Sequence, residues 1–264
     1  MKPIRVVVQG ASGRVGREVV NALGKEPEMQ LVGAVGLHVT EDYLPLPSGS
    51  GSVPFSADLE RILTDCQPEV LVDFTTARAT MPAVRIAAKR RINLVIGTTG
   101  FTADEISEIE QLAKTHQIGV VIAPNFALGA VLMIHLAKIA AKYLDYAEII
   151  ELHHHLKADA PSGTALATAR AMAQARGKPF SRPAEPGQPS NSRGQPVEGV
   201  TIHSVRLPGL MAHQEVILGA PGQTLSIRHD TINRECYMPG VIIAIKEVVK
   251  RQGLIYGLDT LLNL

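Results

Sequence analysis

Tryptophan is absent from this sequence, and aromatic residues make up only 4% of it. A chain of 264 residues that is 45% hydrophobic must therefore build its core from aliphatic side chains, and its richness in Val, Ile, Ala and Gly suits a parallel sheet covered by helices. Cysteine is scarce. Cys66 and Cys236 lie far apart with no CxxC, which disfavours a disulfide scaffold and favours two free thiols in a reducing cytosol. Charge of either sign is not in excess: the net charge is +1, and no long charge run occurs. The composition thus supports neither a nucleic-acid partner nor a membrane surface, and Lys89-Arg90-Arg91 reads as a solvated helix end. No signal peptide is visible, because Met-Lys-Pro runs straight into Ile-Arg-Val-Val-Val. The long apolar region Ile118–Ala141 is broken by Pro124, Asn125 and Gly129, so it reads as a buried strand, a turn and a core helix rather than a membrane span. A cytoplasmic protein without membrane segments is expected. There is no internal repeat.

What is present alternates. Ile4–Gln9, Leu31–Val35, Val70–Phe74, Leu94–Ile96 and Gly119–Ala123 read as strands, and Arg17–Leu23, Asp58–Asp65, Ala79–Lys89 and Asp104–His116 as the helices between them. That spacing defines a doubly wound α/β domain. Gly36–Val53, with Pro45, Pro47 and Ser48-Gly-Ser-Gly-Ser, reads as an irregular mobile loop. The pattern then changes. Ala130–Leu144 and Thr164–Arg176 read as helices, and Glu148–His153, Thr201–Leu207, His213–Leu218 and Thr224–Asp230 as strands of an antiparallel or mixed sheet in a second, α+β domain. Ser181–Gly199 reads as a long loop, and Val241–Lys250 as a final helix opened by Met238-Pro-Gly240.

Gly10, Gly13 and Gly16 occupy the first strand-to-helix turn as GxxGxxG. Small residues there let the backbone approach a pyrophosphate, and the helix N-terminus favours the anion. The alternative is a glycine turn needed only for helix–sheet packing. A ribose 2′-hydroxyl would call for Asp or Glu at the end of the second strand, but Val35-Gly36-Leu37-His38 offers none before Glu41. With Arg14 and Arg17 nearby, the balance leans to NADPH over NADH. Asp73-Phe-Thr-Thr76, Gly97-Thr-Thr-Gly100 and Ala123-Pro-Asn-Phe126 close three further strands, where ligands of open α/β sheets bind; ordinary loop chemistry is the plainer alternative.

The densest chemistry lies in Glu151-Leu-His-His-His-Leu-Lys-Ala-Asp-Ala-Pro-Ser-Gly-Thr164. Run as a straight strand, it would put His153, His155 and Lys157 on one face; a bend after His154 would break that alternation. Three chemistries remain open. Adjacent histidines make poor tetrahedral ligands and lack an H-x₃-H or Cys partner, so a metal site is disfavoured. The histidines could instead be satisfied residues of a structural strand. Or His and Lys could supply protons and positive charge to an anionic substrate, with Ser162, Gly163 and Thr164 as a carboxylate cradle at a helix start.

This run, together with Gly10-Ala-Ser-Gly-Arg-Val-Gly16, Gly97-Thr-Thr-Gly100 and Ala123-Pro-Asn-Phe126 in the same order, resembles the dihydrodipicolinate (4-hydroxy-tetrahydrodipicolinate) reductase family over nearly the whole chain. The histidine–lysine run is its specific part. The resemblance implies a Rossmann-type dinucleotide-binding domain at 1–127 and 241–264 and a substrate-binding and tetramerisation domain at 128–240. It implies NAD(P)H-dependent reduction of a cyclic imine dicarboxylate in the diaminopimelate route to lysine, by a homotetramer. It assigns His153 as acid/base and Lys157 as its cationic partner. His154, Gly163 and Thr164 match substrate contacts, and Ser162 joins them by its place in the turn. Gly10, Ala11, Ser12, Gly13, Arg14, Val15, Gly97, Thr98, Thr99, Ala123, Pro124, Asn125 and Phe126 match nucleotide contacts. The chain departs from the family in four places. No acid ends the second strand, His155 and Leu156 replace a more polar pair, and Thr40–Val53 has no counterpart we can interpret. Around Arg234–Gly240 only Arg234 and Gly240 match. Two competitors remain: another two-domain NAD(P) dehydrogenase acting on aspartate- or homoserine-like substrates, which lacks the His-His-x-x-Lys run, and a nucleotide-sensing protein that binds without turnover.

Overall fold

The computed structural model describes residues 2–47, 49, 51–182 and 191–264. The elements follow in the order β1 (Ile4–Gln9), α1 (Arg14–Leu23), β2 (Met29–Val35), β3 (Tyr43–Pro45), β4 (Ser52–Ser56), α2 (Leu59–Cys66), β5 (Val70–Asp73), α3 (Ala77–Lys89), β6 (Asn93–Ile96), α4 (Ala103–His116) and β7 (Gly119–Ile122). Next come α5 (Leu128–Ala140), β8 (Tyr146–His153), α6 (Gly163–Arg176), β9 (Gln195–Val197), β10 (Val200–Arg206), β11 (Ala212–Ala220) and β12 (Gln223–Thr231). The chain ends with α7 (Met238–Val248), β13 (Gly253–Tyr256) and α8 (Leu258–Leu262). It divides into two compact units, one running to Ala127 and resuming at Arg234–Leu264, the other Leu128–Asn233.

The first unit is an eight-stranded sheet in the order β13-β7-β6-β5-β1-β2-β4-β3. Every neighbouring pair is parallel except β3–β4. The central strands read as unbroken apolar runs because helices cover both faces: Val6, Val7, Val8, Val70, Leu71, Val72, Leu94, Val95 and Ile96 are all fully buried. Each such Leu or Ile contributes about 1.5–3 kcal/mol by leaving water. Local signals set the helix starts. Asp58 caps α2 by accepting the Arg61 amide, and Thr102 and Glu105 form a reciprocal capping box on α4. From β1 the chain moves outward to β2 and later returns to place β5 on the other side of β1. That reversal opens a crevice at the carboxyl ends of the strands.

Two expectations need correction in this unit. Gly36–Val53 is not uniformly irregular: β3 and β4 form an antiparallel pair, and β4 extends the sheet beside β2. Val53 and Phe55 point inward at period two, a strand signal obscured by Pro54 between them, which lies just before the β2–β4 pairing begins at Ala34–Phe55. Ser48 and Ser50 of that stretch lie outside the described residues. After α7 the chain adds β13, parallel to β7, and α8, so the helix read at Val241–Lys250 is not the last element.

The second unit is a five-stranded mixed sheet in the order β12-β11-β8-β10-β9. Only β8 and β10 run parallel. Helices α5 and α6 pack on each other, and their apolar sides share a core with Ala147, Ile149, Ile202, Val216 and Leu218 of the sheet. The alternation along β8 continues past the apolar Ala147 and Ile149 to Glu151, which is also fully buried. A carboxylate at the end of an apolar face is the fold's entry to the chemistry. The Ser181–Gly199 loop contains β9, and 183–190 lie outside the described residues. Among the described residues no helix is long and apolar enough to cross a membrane.

Candidate active site

In the first unit the glycine turn is shaped by contact. Gly10 has φ +82°, and a Cβ on Gly16 would stand 2.0 Å from the Gly10 carbonyl oxygen, so α1 can approach β1 this closely only without that atom. Gly13 is the N-cap of α1 and supplies no side chain to its first-turn amides, which leaves them to an anion. Beside the turn lies a cavity of about 470 Å³ lined by Arg14, Val15, Phe74, Thr75, Thr76, Ala77, Gly97, Thr98 and Thr99. It sits where β1, β5 and β6 end, at the reversal of strand order. Phe74 forms one side and meets Phe126 with ring centroids 5.6 Å apart, which brings the Ala123–Phe126 turn next to the cavity without lining it. A glycine cradle, an uncapped helix start and threonine hydroxyls fit the pyrophosphate, ribose and carboxamide of a nicotinamide dinucleotide.

In the second unit, β8 stops at His153 and the chain turns: the Lys157 amide donates to the His154 carbonyl at 3.1 Å. The turn breaks the alternation, and His155 and Leu156 face solvent. The Glu151 carboxylate gathers donors from four residues, His153, Arg206, Ser162 and Ser204. His153 Nδ1 lies 2.5 Å from Oε2. Arg206 spans both oxygens, with Nη1 2.8 Å from Oε2 and Nη2 2.8 Å from Oε1. The Ser162 amide donates to Oε1 at 3.1 Å. Burial alone would raise the Glu151 carboxyl, but hydrogen bonds from His153, Arg206 and Ser204 override it and hold the group at about 2. An ionised carboxylate only accepts, so His153 Nδ1 carries a hydrogen and Nε2 is the nitrogen free to exchange protons.

The helix after the turn begins with Ser162 as N-cap, its hydroxyl accepting the Ala165 amide at 3.1 Å. The Ser162 amide is already committed to Glu151. The amides with no intrahelical acceptor are those of Gly163 and Thr164, and Gly163 faces open space. Lys157 Nζ is clamped by Asp159, at 2.7 and 2.8 Å from its two oxygens, and that ion pair holds the Asp159 carboxyl below the usual range. Among the described residues no group of three His, Cys, Asp or Glu side chains could hold a metal ion.

The structure therefore gathers His153, His154, Lys157, Ser162, Gly163 and Thr164 around one strand end, and Arg14 and Val15 with Gly97, Thr98 and Thr99 around one cavity, with Gly10, Ala11, Ser12 and Gly13 forming the turn that precedes Arg14. Ala123, Pro124, Asn125 and Phe126 stand a layer back, with the Asn125 side chain accepting the Ala127 amide. Sequence reasoning missed the partners. Glu151 opens the signature run and Arg206 ends β10, but nothing in their spacing says they meet; only the β8–β10 register, which sets Arg206 opposite His153, does. Phe74, Thr75, Thr76 and Ala77 line the cavity and were legible only as a strand end.

The comparisons with known proteins agree with this geometry. The dihydrodipicolinate reductase N-terminus model matches residues 4–126, and the C-terminus model residues 129–262. A 4-hydroxy-tetrahydrodipicolinate reductase from Dehalococcoides mccartyi is 60% identical over 264 residues, covering 100% of both chains. One from Moorella thermoacetica is 46% identical, covering 98% of each. Among solved structures, a dipicolinate-bound dihydrodipicolinate reductase from Paenisporosarcina sp. TG-14 superimposes with a TM-score of 0.87 at 38% identity, covering 97% of this chain and 98% of that one. An amine dehydrogenase from Mycobacterium smegmatis, at 16% identity and TM-score 0.67, shares the fold. Fold and site define an NAD(P)H-dependent oxidoreductase built on a Rossmann-type nucleotide-binding unit. The chain belongs to the dihydrodipicolinate reductase family, whose members are oxidoreductases of lysine biosynthesis.

Proposed function

We propose that this protein reduces 4-hydroxy-tetrahydrodipicolinate to tetrahydrodipicolinate in the diaminopimelate route to lysine, with the unit to Ala127 plus Arg234–Leu264 binding the dinucleotide and Leu128–Asn233 binding the substrate. The observation that carries this reading is the strand end of β8, where His153 is held through Nδ1 by the buried Glu151 and stands beside Lys157 and the open amides of Gly163 and Thr164. That is a proton donor next to a cradle for carboxylates, which is what reduction of a cyclic imine dicarboxylate requires. The dipicolinate-bound relative, a complex with a planar cyclic dicarboxylate, supports the substrate class.

When bound, the nicotinamide supplies the hydride. Gly163 and Thr164 amides and Lys157 hold the substrate carboxylates and stabilise charge as it develops on the conjugated ring nitrogen. To bind, the substrate carboxylate must compete with Asp159 for the Lys157 ammonium. His153 Nε2 delivers the proton that reaches ring carbon, directly or through water, while Glu151 accepts from Nδ1 and stabilises the imidazolium; the ring hydroxyl leaves as water before or during the reduction. His154 contacts the substrate. Ser162 contributes by holding the helix start and Glu151.

NADPH is preferred to NADH in this reading. A Cβ at Gly36 would stand 2.7 Å from the Phe55 ring and 3.0 Å from Ser12 Oγ, so an acid at that position has no room. Leu37, the next residue, is exposed and apolar, and Arg14 lies on the cavity rim. Neither Gly36 nor Leu37 therefore sets a carboxylate against a 2′-phosphate at the end of β2. The protein works as a cytoplasmic homotetramer, a reading that the family resemblance supports. The test is a coupled assay: pyruvate and aspartate semialdehyde are condensed by the preceding pathway enzyme, and the absorbance of NADPH or NADH is followed. Oxidation faster with NADPH is expected. No oxidation with either cofactor would sink the reductase reading and favour a nucleotide sensor.

A further inference from the structure

Asp73 is a buried acid that no step above uses. It ends β5, is fully buried, and does not line the cavity. Its Oδ1 gathers donors from three segments: Thr98 Oγ1 at 2.7 Å, Thr75 Oγ1 at 2.8 Å, Thr80 Oγ1 at 2.9 Å and the Thr75 amide at 3.0 Å. The Thr75 amide is shared with Thr98 Oγ1, 2.9 Å away. Oδ2 is buried without a hydrogen-bond partner among the described residues. Thr75 and Thr98 both line the cavity, whereas Thr80 is buried behind it. The Thr75 methyl also lies against Gly10, 2.9 Å from where a Cβ would stand. One oxygen thus ties together the ends of β5 and β6 and the first turn of α3, and it turns two wall threonines inward.

We propose that Asp73 is a positioning residue for the dinucleotide: acting through Thr75 and Thr98, it fixes the cavity wall where β1, β5 and β6 end. The proposal rests on the reading of that cavity as the nicotinamide-dinucleotide site. What matters is the acceptor geometry of Oδ1 rather than a charge. Burial pushes the Asp73 carboxyl up from its ordinary value, against the pull of the Thr98, Thr75 and Thr80 hydrogen bonds. A neutral carboxamide of the same shape can therefore take its place, offering the same oxygen to the same donors. Removing the oxygen leaves three hydroxyls to find new acceptors, and the wall moves with them.

The test uses the whole protein, with NADPH binding followed by fluorescence titration and turnover by the coupled assay. Asp73→Ala is expected to weaken NADPH binding about tenfold or more, the loss of one to two net hydrogen bonds, with kcat at saturating cofactor within about threefold of wild type. Asp73→Asn is expected to restore binding to within about threefold across the active pH range, since it keeps the acceptor. Thr80→Val removes one donor without touching the cavity, and is expected to weaken NADPH by about two- to fivefold; it decides the matter should Asp73→Ala fail to fold. Wild-type affinity in Asp73→Ala or in Thr80→Val overturns the proposal, because a merely structural role lowers the melting temperature and leaves Kd alone. Asn as weak as Ala also overturns it, because charge would then be the requirement. Absence of NADPH binding by the wild type removes the reading of the cavity and the proposal with it, whereas binding by the wild type with unaffected variants removes the proposal alone.

Discussion

Glu151→Gln is the sharpest perturbation of the proposed proton-transfer site, because it changes one atom in a fully used network. The carboxylate serves His153 Nδ1 and Arg206 Nη1 on Oε2, and Arg206 Nη2 and the Ser162 amide on Oε1. A carboxamide has one acceptor oxygen. If it takes the Oε1 place, its NH₂ meets His153 Nδ1–H and Arg206 Nη1–H; if it takes the Oε2 place, its NH₂ meets Arg206 Nη2–H and the Ser162 amide. Either orientation sets donors against donors and leaves the half-buried Arg206 guanidinium without its counter-charge. Breaking a buried pair in this way costs about 3–5 kcal/mol of stability. Catalysis loses separately, since Nδ1 no longer has a carboxylate to orient the ring and stabilise the imidazolium, and kcat is expected to fall about 10²–10⁴-fold. The assay is steady-state turnover at a temperature where circular dichroism shows the variant folded. A control separates the two effects: Glu151→Met with Arg206→Met removes both charges, and should recover most of the stability but none of the rate. Turnover within about threefold of wild type in Glu151→Gln would refute the reasoning that Glu151 holds His153 for proton transfer.

Further predictions follow from the same geometry. Stability should depend on pH through Glu151: its carboxyl lies at about 2 against 4.5 for the free group. A depressed acid stabilises the fold above its free value and loses that contribution as pH falls, so about 3 kcal/mol should disappear between roughly pH 4.5 and 2; a denaturant midpoint that stays constant through that window would contradict it. Lys157→Ala should raise substrate KM about tenfold and lower kcat as well, whereas Asp159→Asn should lower KM about two- to fivefold by freeing the ammonium; a higher KM in Asp159→Asn would mean that the ion pair organises Lys157 rather than competing for it. Arg14→Ala should weaken NADPH about tenfold more than NADH in parallel titrations, and equal losses would remove the case for a 2′-phosphate contact.

The parallel architecture was legible in the sequence because its strands are apolar throughout and its helices carry their own punctuation. The apolar period of 3.6 placed α4 to within a residue. The GxxGxxG turn was legible because only glycine fits where α1 nearly touches the Gly10 carbonyl. Short outlying strands were not: β4 contains Pro54, and β13 covers only Gly253–Tyr256, so neither offers a pattern long enough to outweigh its neighbours. In the site, the residues that touch substrate in the proposed mechanism sit in one contiguous run and could be read along the chain. The residues that hold them could not. Arg206 meets Glu151 across a sheet, and Asp73 meets Thr98 across two strand ends, so both contacts depend on register rather than spacing. The sequence also offered Ser162 as a ligand for substrate, but the fold gives its amide to Glu151 and its hydroxyl to the helix start, leaving Gly163 and Thr164 as the open donors.

The central claim is that His153 donates the proton in a reductase reaction on a cyclic dicarboxylate. The most direct measurement is turnover of His153→Ala with the condensation product of pyruvate and aspartate semialdehyde at saturating NADPH, alongside the substrate KM. A fall in kcat of about 10²-fold or more with KM within about threefold is the predicted result, as removal of a proton donor that binds little of the substrate requires. Wild-type kcat in His153→Ala would contradict the account.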